Sequence, residues 1–168
     1  MRADAERNRA KVLEAAMTAF ESEGLAVPVA EIARRAGVGT GTVSRHFPTK
    51  ESLYEAIVLV RLEEIVGEGR RLLAAAEPGF FPFFAYLVGQ MAANRGLAEA
   101  LSGDGFDVEA AAAGSELDLL GVEQRLLAEA QRAGLVRPGV TRDDVKALMT
   151  ACVGRPQLVE VVAAGLRP

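Results

Sequence analysis

The chain has 168 residues, 50% of them hydrophobic and 25% charged, with a formal net charge of −4; this is a globular composition, long enough for one good core or two small ones. No run approaches the length of about 18 apolar residues that a membrane span needs, and the charged N-terminus has no apolar stretch behind it, so neither a span nor a secretory signal is expected. With one cysteine (Cys152) and one histidine (His46), no internal disulfide, Cys/His metal site, cofactor or catalytic constellation is expected, and the chain reads as cytoplasmic and non-enzymatic.

Abundant alanine and few β-branched or aromatic runs favour helices. The first is expected over 5–23, where Val12, Ala16 and Phe20, with Leu13 and Met17, form one apolar stripe; Gly24 stops it. A second helix follows Pro28 and covers Val29 to Ala36, with Ile32, Ala33 and Ala36 inward. Gly37 breaks it. A third begins at Gly39 or Thr40, with Thr40 the expected cap, and ends near His46, burying Val43 and Phe47; Pro48 then forces an exit. Thr49 is placed to cap a fourth helix, although Ser52 is the wrong residue type for a full capping box. Its apolar face, Leu53, Tyr54, Ile57, Val58, Leu62, Ile65 and Val66, runs on to about Ala76.

Pro78-Gly79 marks a boundary. A helix of Phe80, Phe81, Phe83, Phe84, Leu87, Val88 and Met91 is expected to reach Leu101, followed by a short one over 106–113. Ser115 is the expected cap of the next, with Asp118 three residues on. Thr141 caps another, with Asp143 and Asp144 favourably placed in its first turn, and a last helix spans 156–166. The fold class is all-α: a three-helix N-terminal head (1–50) joined by a long fourth helix to a helical body (51–168).

Ala33, Gly37 and Val43 have the spacing of a helix-turn-helix, in which small residues let two helices approach and glycine makes the turn. Such a motif exposes one side of its second helix to the major groove of DNA. The outward groups are Thr40, Thr42, Ser44 and Arg45. Arg45 suits a base edge or a phosphate. Lys50 suits a phosphate or a surface pairing with Glu55, and His46 suits packing within the head or a phosphate. Arg7, Arg9, Lys11, Arg34 and Arg35 supply further cations. Residues 1–50 hold 8 Lys or Arg against 6 Asp or Glu, a balance of +2, and residues 51–168 hold 11 against 17, a balance of −6. That distribution suits a protein that touches a polyanion with one end. The phrase Gly37-Val38-Gly39-Thr40-Gly41-Thr42 is not a nucleotide loop: it follows a helix and lacks the Lys-Ser/Thr ending. Asp104, Asp107, Glu109, Asp143 and Asp144 read as helix starts and solvated surface, not as metal ligands.

The stretch Val29-Ala30-Glu31-Ile32-Ala33-Arg34-Arg35-Ala36-Gly37-Val38-Gly39-Thr40-Gly41-Thr42-Val43-Ser44-Arg45-His46-Phe47-Pro48-Thr49-Lys50-Glu51-Ser52-Leu53 resembles the DNA-binding signature of the TetR family of bacterial repressors. The pieces 94–101 and 133–138 resemble a common subgroup of that family's C-terminal domain. Three positions depart from the pattern: Ser44 replaces a frequent tyrosine, Pro28 a hydroxyl residue, and Gly39 a capping serine. The resemblance implies a ligand-responsive regulator, a repressor by the family's habit, that binds palindromic duplex DNA as a homodimer. The DNA-contacting set is then Arg7, Lys11, Arg34, Thr40, Thr42, Ser44, Arg45, His46 and Lys50. The phenylalanines cannot all lie on one helix face; they read either as plain core or as part of a pocket of Phe80, Phe84, Leu87, Met91 and Phe106 for a small apolar or aromatic effector. The dimer interface is assigned to the last two helices, through Val145, Leu148, Met149, Cys152, Leu158, Val161 and Val162. The competing reading is a helical ligand-binding or protein-interaction dimer that no longer binds DNA.

Overall fold

Alternating apolar stripes and glycine or proline breaks divide the chain into helices much as expected. In the computed structural model, which describes residues 2–96 and 117–168, the described residues form eight helices and no strand: α1 (Arg2–Glu23), α2 (Val29–Ala36), α3 (Thr40–His46), α4 (Lys50–Leu73), α5 (Phe80–Ala93), α6 (Leu119–Arg132), α7 (Arg142–Cys152) and α8 (Gln157–Leu166). No described helix is long and apolar enough to cross a membrane.

The described residues belong to two compact units, the first comprising residues 2–60 with Gly96 and the second Arg61–Arg95 and 117–168. The first unit runs ten residues past the end of the head anticipated at Lys50, because Leu53, Tyr54, Ala56, Ile57 and Val58 are buried at the start of α4. Its core also takes Val12, Leu13, Ala16 and Ala19 from α1, Ile32, Ala33 and Ala36 from α2, and Val43 and Phe47 from α3 and its end. Phe20 is half-buried and meets Tyr54 edge-on, ring centroids 5.2 Å apart. The first turn of α4 is closed by a reciprocal pair. The Ser52 N–H donates to Thr49 Oγ1 at 3.1 Å and the Thr49 N–H donates to Ser52 Oγ at 3.2 Å. Serine therefore completes the box that its short side chain was not expected to reach.

In the second unit one face of α5 carries Phe80, Phe83, Phe84, Leu87 and Val88, all buried, at the three- and four-residue spacing of a single helical stripe. Phe81 is the ring that falls to the side, half-buried with the Arg167 guanidinium 5.1 Å from its centroid. This helix ends at Ala93 rather than running on to Leu101. Asn94 is the cap residue: its backbone N–H makes the last helical bond to the Gln90 carbonyl at 3.0 Å, and its side chain donates to the same carbonyl at 2.8 Å. The short helix expected over 106–113 and the cap expected at Ser115 lie outside the described residues. Asp118, not Ser115, caps α6: it is in the left-handed region (φ 50°) and accepts the Gly121 N–H at 3.2 Å. Thr141 caps α7 as anticipated, and Asp144 closes the box by accepting the Thr141 N–H at 2.8 Å.

Three residues assigned to the dimer surface are turned inward instead. Val145, Met149 and Cys152 form one stripe of α7, and that stripe is buried in the chain's own core with Phe80, Phe84, Val122 and Leu126. An apolar row at that spacing serves the monomer core first. Leu148, Leu158 and Val162 are half-buried against that core, and Val161 is 65% exposed.

The second unit is close-packed around Gly69. A Cβ there would lie 2.3 Å from Val122 Cγ1 and 3.0 Å from the Phe83 ring, whereas one on Gly67 would meet nothing within 4 Å. Gly69→Ala is therefore expected to lose about 1–3 kcal/mol of stability by overpacking. Gly67→Ala is expected to be neutral or to gain up to about 1 kcal/mol from helix propensity. Denaturant unfolding of the two variants checks this, and equal behaviour would contradict the close approach.

Candidate DNA-contacting face and effector pocket

The turn between α2 and α3 depends on one residue. Gly37 is left-handed (φ 66°, ψ 32°), a conformation that costs glycine little. Its N–H donates to the Arg34 carbonyl at 3.2 Å and the Val38 N–H donates to the Ala33 carbonyl at 3.0 Å, the paired closure that satisfies the last carbonyls of α2. The chain then enters α3 at Gly39, whose carbonyl accepts the Thr42 N–H at 2.9 Å. Gly39, not Thr40, is the cap residue, and it offers no side-chain bond.

Val43 (1% exposed) and Phe47 (5%) hold α3 from inside. Thr40, Gly41, Ser44 and Arg45 are exposed, and Thr42 and His46 are half-buried. Arg45 makes no hydrogen bond or ion pair among the described residues. The His46 ring lies 6.3 Å from that of Phe47, tilted by 50°, and the Arg9 guanidinium is 5.4 Å from the Phe47 ring centroid.

Several of the other cations already have partners. Arg34 forks onto Glu31 with two bonds of 2.7 Å, and Arg35 reaches Glu31 at 2.8 Å and Glu23 at 2.5 Å. These two guanidiniums hold the Glu31 carboxyl at a pKa of about 2, with the Arg34 hydrogen bonds the larger cause. Arg7 pairs with Asp4 on α1, and Lys11 is exposed. Lys50 does not point outward as a phosphate ligand would. Its ammonium donates to the Leu25 carbonyl at 2.5 Å and stands 5.9 Å from the rings of both Phe20 and Tyr54. The Tyr54 hydroxyl donates to the same carbonyl at 3.1 Å. Lys50 thus ties the start of α4 to the link between α1 and α2. Nothing in the spacing of Lys50 and Leu25 along the chain signals that contact.

The second unit holds a small cavity lined by Phe80, Phe83, Phe84, Leu87, Leu126, Leu127, Val145 and Met149, with Glu123 and Arg142 as its polar residues. Its free space, about 20 Å³, is on the order of one water molecule. Phe80, Phe84 and Leu87 of the anticipated pocket are brought together here. Met91 packs against the core without lining the cavity, and Phe106 lies outside the described residues. Glu123 and Arg142 were not anticipated. They are 19 positions apart on different helices, and they meet at 2.9 Å.

Comparison with known proteins follows the same division. Residues 12–57 match the family described as bacterial regulatory proteins, tetR family, and residues 75–168 match the transcriptional regulator SbtR-like C-terminal domain. The crystal structure of the TetR transcription regulatory protein from Mycobacterium vanbaalenii is 50% identical, with a TM-score of 0.80 over 99% of each chain.

The chain belongs to the TetR family.

A TetR transcriptional regulator from Streptomyces coelicolor is 28% identical, with a TM-score of 0.74 over 95% of this chain and 98% of that one. The HTH-type transcriptional repressor KstR2 of Rhodococcus jostii (strain RHA1) is 35% identical over 68 residues, 40% of this chain; the match spans only 33% of that relative's length. The matched N-terminal segment, residues 12–57, contains the Gly37 turn and the inward Val43.

The Glu31 cluster gives the head a defined acid response. Glu31 titrates below its ordinary value of 4.5, near 2 in the folded protein, so the stability it contributes is present above 4.5 and is lost as pH falls toward about 2. The melting-temperature gap between wild type and Glu31→Gln is expected to hold from pH 7 down to about 4.5 and to close by pH about 2. A gap independent of pH would show that the carboxylate charge is not what Arg34 and Arg35 use.

Proposed function

We propose that the chain is a ligand-responsive transcriptional repressor that binds palindromic operator DNA as a homodimer. The observation that carries this reading is the division of α3 into a buried side, Val43, and an exposed polar side, Thr40, Ser44 and Arg45. A helix so divided has the chemistry for a DNA groove: hydroxyls for phosphates and base edges, and a guanidinium for guanine. Thr42 and His46 stand at the margin of that face, and Lys11, with Arg7 and Arg34 once drawn from their carboxylates, supplies phosphate contacts. Lys50 has a smaller role than the resemblance implies, since it is engaged within the head.

One recognition helix reads too few base pairs to select a site. A two-fold dimer presents two, about 34–36 Å apart. The surface offered for it is Val161 with the half-buried Leu148, Leu158 and Val162. The effector site is the cavity between α5, α6 and α7, which opens as the ligand enters. Because α4 contributes to both units, a shift of its second half on ligand binding alters the placement of the recognition helices. The resulting antagonism between ligand and DNA has a coupling of about 1–3 kcal/mol.

Selection of bound sequences from random duplex DNA tests the reading, and a palindrome with half-sites one helical turn apart is expected. On the selected site Arg45→Ala is expected to lose about 1–3 kcal/mol of affinity and relax the preference at one base pair. A uniform loss across sequences, with a shallower salt slope, would assign Arg45 to phosphate instead. No salt-sensitive affinity for any duplex would favour the ligand-binding dimer without DNA function.

A further inference from the structure

The cavity of the second unit has a mixed wall. Eight of its lining residues are apolar, and the other two are an ion pair joining α6 to α7. The Arg142 guanidinium meets Glu123 at 2.9 Å, with the arginine side chain 29% exposed and the glutamate 15%. A charged pair held beside phenylalanine, leucine, valine and methionine side chains has lost part of its hydration, and a wholly apolar ligand filling the space would strip more of it without compensation. A ligand that carries its own polar group can replace one member of the pair.

The two members are not equally replaceable. Arg142 has a second carboxylate within reach: Asp143 lies 3.7 Å away and is 91% exposed. Arg142 can leave Glu123 and stay paired, closer to water. Glu123 has no such alternative, since Arg142 is the one cation paired with it among the described residues. An incoming anion would capture Arg142 and leave the more deeply buried carboxylate unpaired beside a like charge, the costlier arrangement. An incoming cation would take Glu123 while Arg142 turns to Asp143. The rings of Phe80, Phe83 and Phe84 in the same wall add to the attraction, because aromatic rings stabilise cations at close range.

We propose that the effector is an amphiphilic organic cation, an apolar or aromatic body bearing an ammonium or amidinium group that binds Glu123 in exchange for Arg142. This rests on the cavity being the effector site. It narrows the apolar effector expected from the sequence to one charge class.

Three probes with one body separate these ideas: 4-phenylbutylammonium, 4-phenylbutanol and 4-phenylbutyrate, titrated calorimetrically into the full chain. The ammonium is expected to bind about tenfold more tightly than the alcohol, as a charge-assisted bond does over a neutral one, and the carboxylate most weakly. Glu123→Gln is expected to bring the ammonium to the alcohol's affinity and leave the alcohol unchanged. Asp143→Asn keeps the Glu123–Arg142 pair and is expected to weaken ammonium binding alone, which gives a second reading if Glu123→Gln fails to fold. Tightest binding by the carboxylate, or an ammonium preference that survives Glu123→Gln, overturns the cation assignment while the cavity stands as the effector site. Binding of none of the three overturns the cavity reading, and the cation assignment with it.

Discussion

The head depends on one short helix being held from a single side. Val43 and Phe47 are almost fully buried, and α3 between Thr40 and His46 is only 7 residues long. A helix that short has little stability of its own in water. Its order therefore comes from those two anchors and from the Gly37 closure that sets its direction. The same anchoring decides which side chains remain for a ligand. With the inward positions taken by Val43 and Phe47, Thr40, Ser44 and Arg45 are left in solvent. Recognition chemistry is thus a by-product of how the core is filled.

The polar groups around that helix divide into structural and available ones. Glu31, Arg34, Arg35 and Glu23 form a surface network that joins the end of α1 to α2. Exposed pairs of this kind contribute little singly, and more as a network that fixes geometry. Lys50 and Tyr54 converge on the Leu25 carbonyl, so a backbone acceptor in the α1–α2 link receives two donors from α4. The first turns of α4 are in this way fastened to the head by polar contacts as well as by Leu53 and Ile57. In the second unit the governing constraint is steric. Gly69 admits Val122 and Phe83 at distances that any side chain would block, and the apolar faces of α5, α6 and α7 close on each other until little free space remains.

The helices, their order and the turn at Gly37 were legible because each rests on local chemistry: four-residue apolar spacing, a left-handed glycine, a proline or hydroxyl at the start. The family was legible for the same reason, since residues 29–53 form one continuous local pattern. What depends on distant partners was not. Lys50 reads as a phosphate ligand in sequence because Leu25, 25 positions earlier, gives no hint of contact. Glu123 and Arg142 each look like ordinary surface charges until α6 and α7 are placed side by side. Val145, Met149 and Cys152 read as a dimer surface in sequence but fill the chain's own core, because an apolar stripe does not state whether its partner is the same chain or another. The end of α5 falls at Asn94, with no glycine or proline at that position to mark it in the sequence.

If the outward side of α3 is the surface offered to DNA, a bound duplex must shield it from solvent. Amide hydrogen exchange read by mass spectrometry, with and without a selected duplex, tests it most directly. Slowed exchange is expected in peptides covering 29–47, greatest in 40–46, when duplex is added. Unchanged exchange across α2 and α3 in the presence of saturating duplex, or protection confined to the second unit, would contradict it.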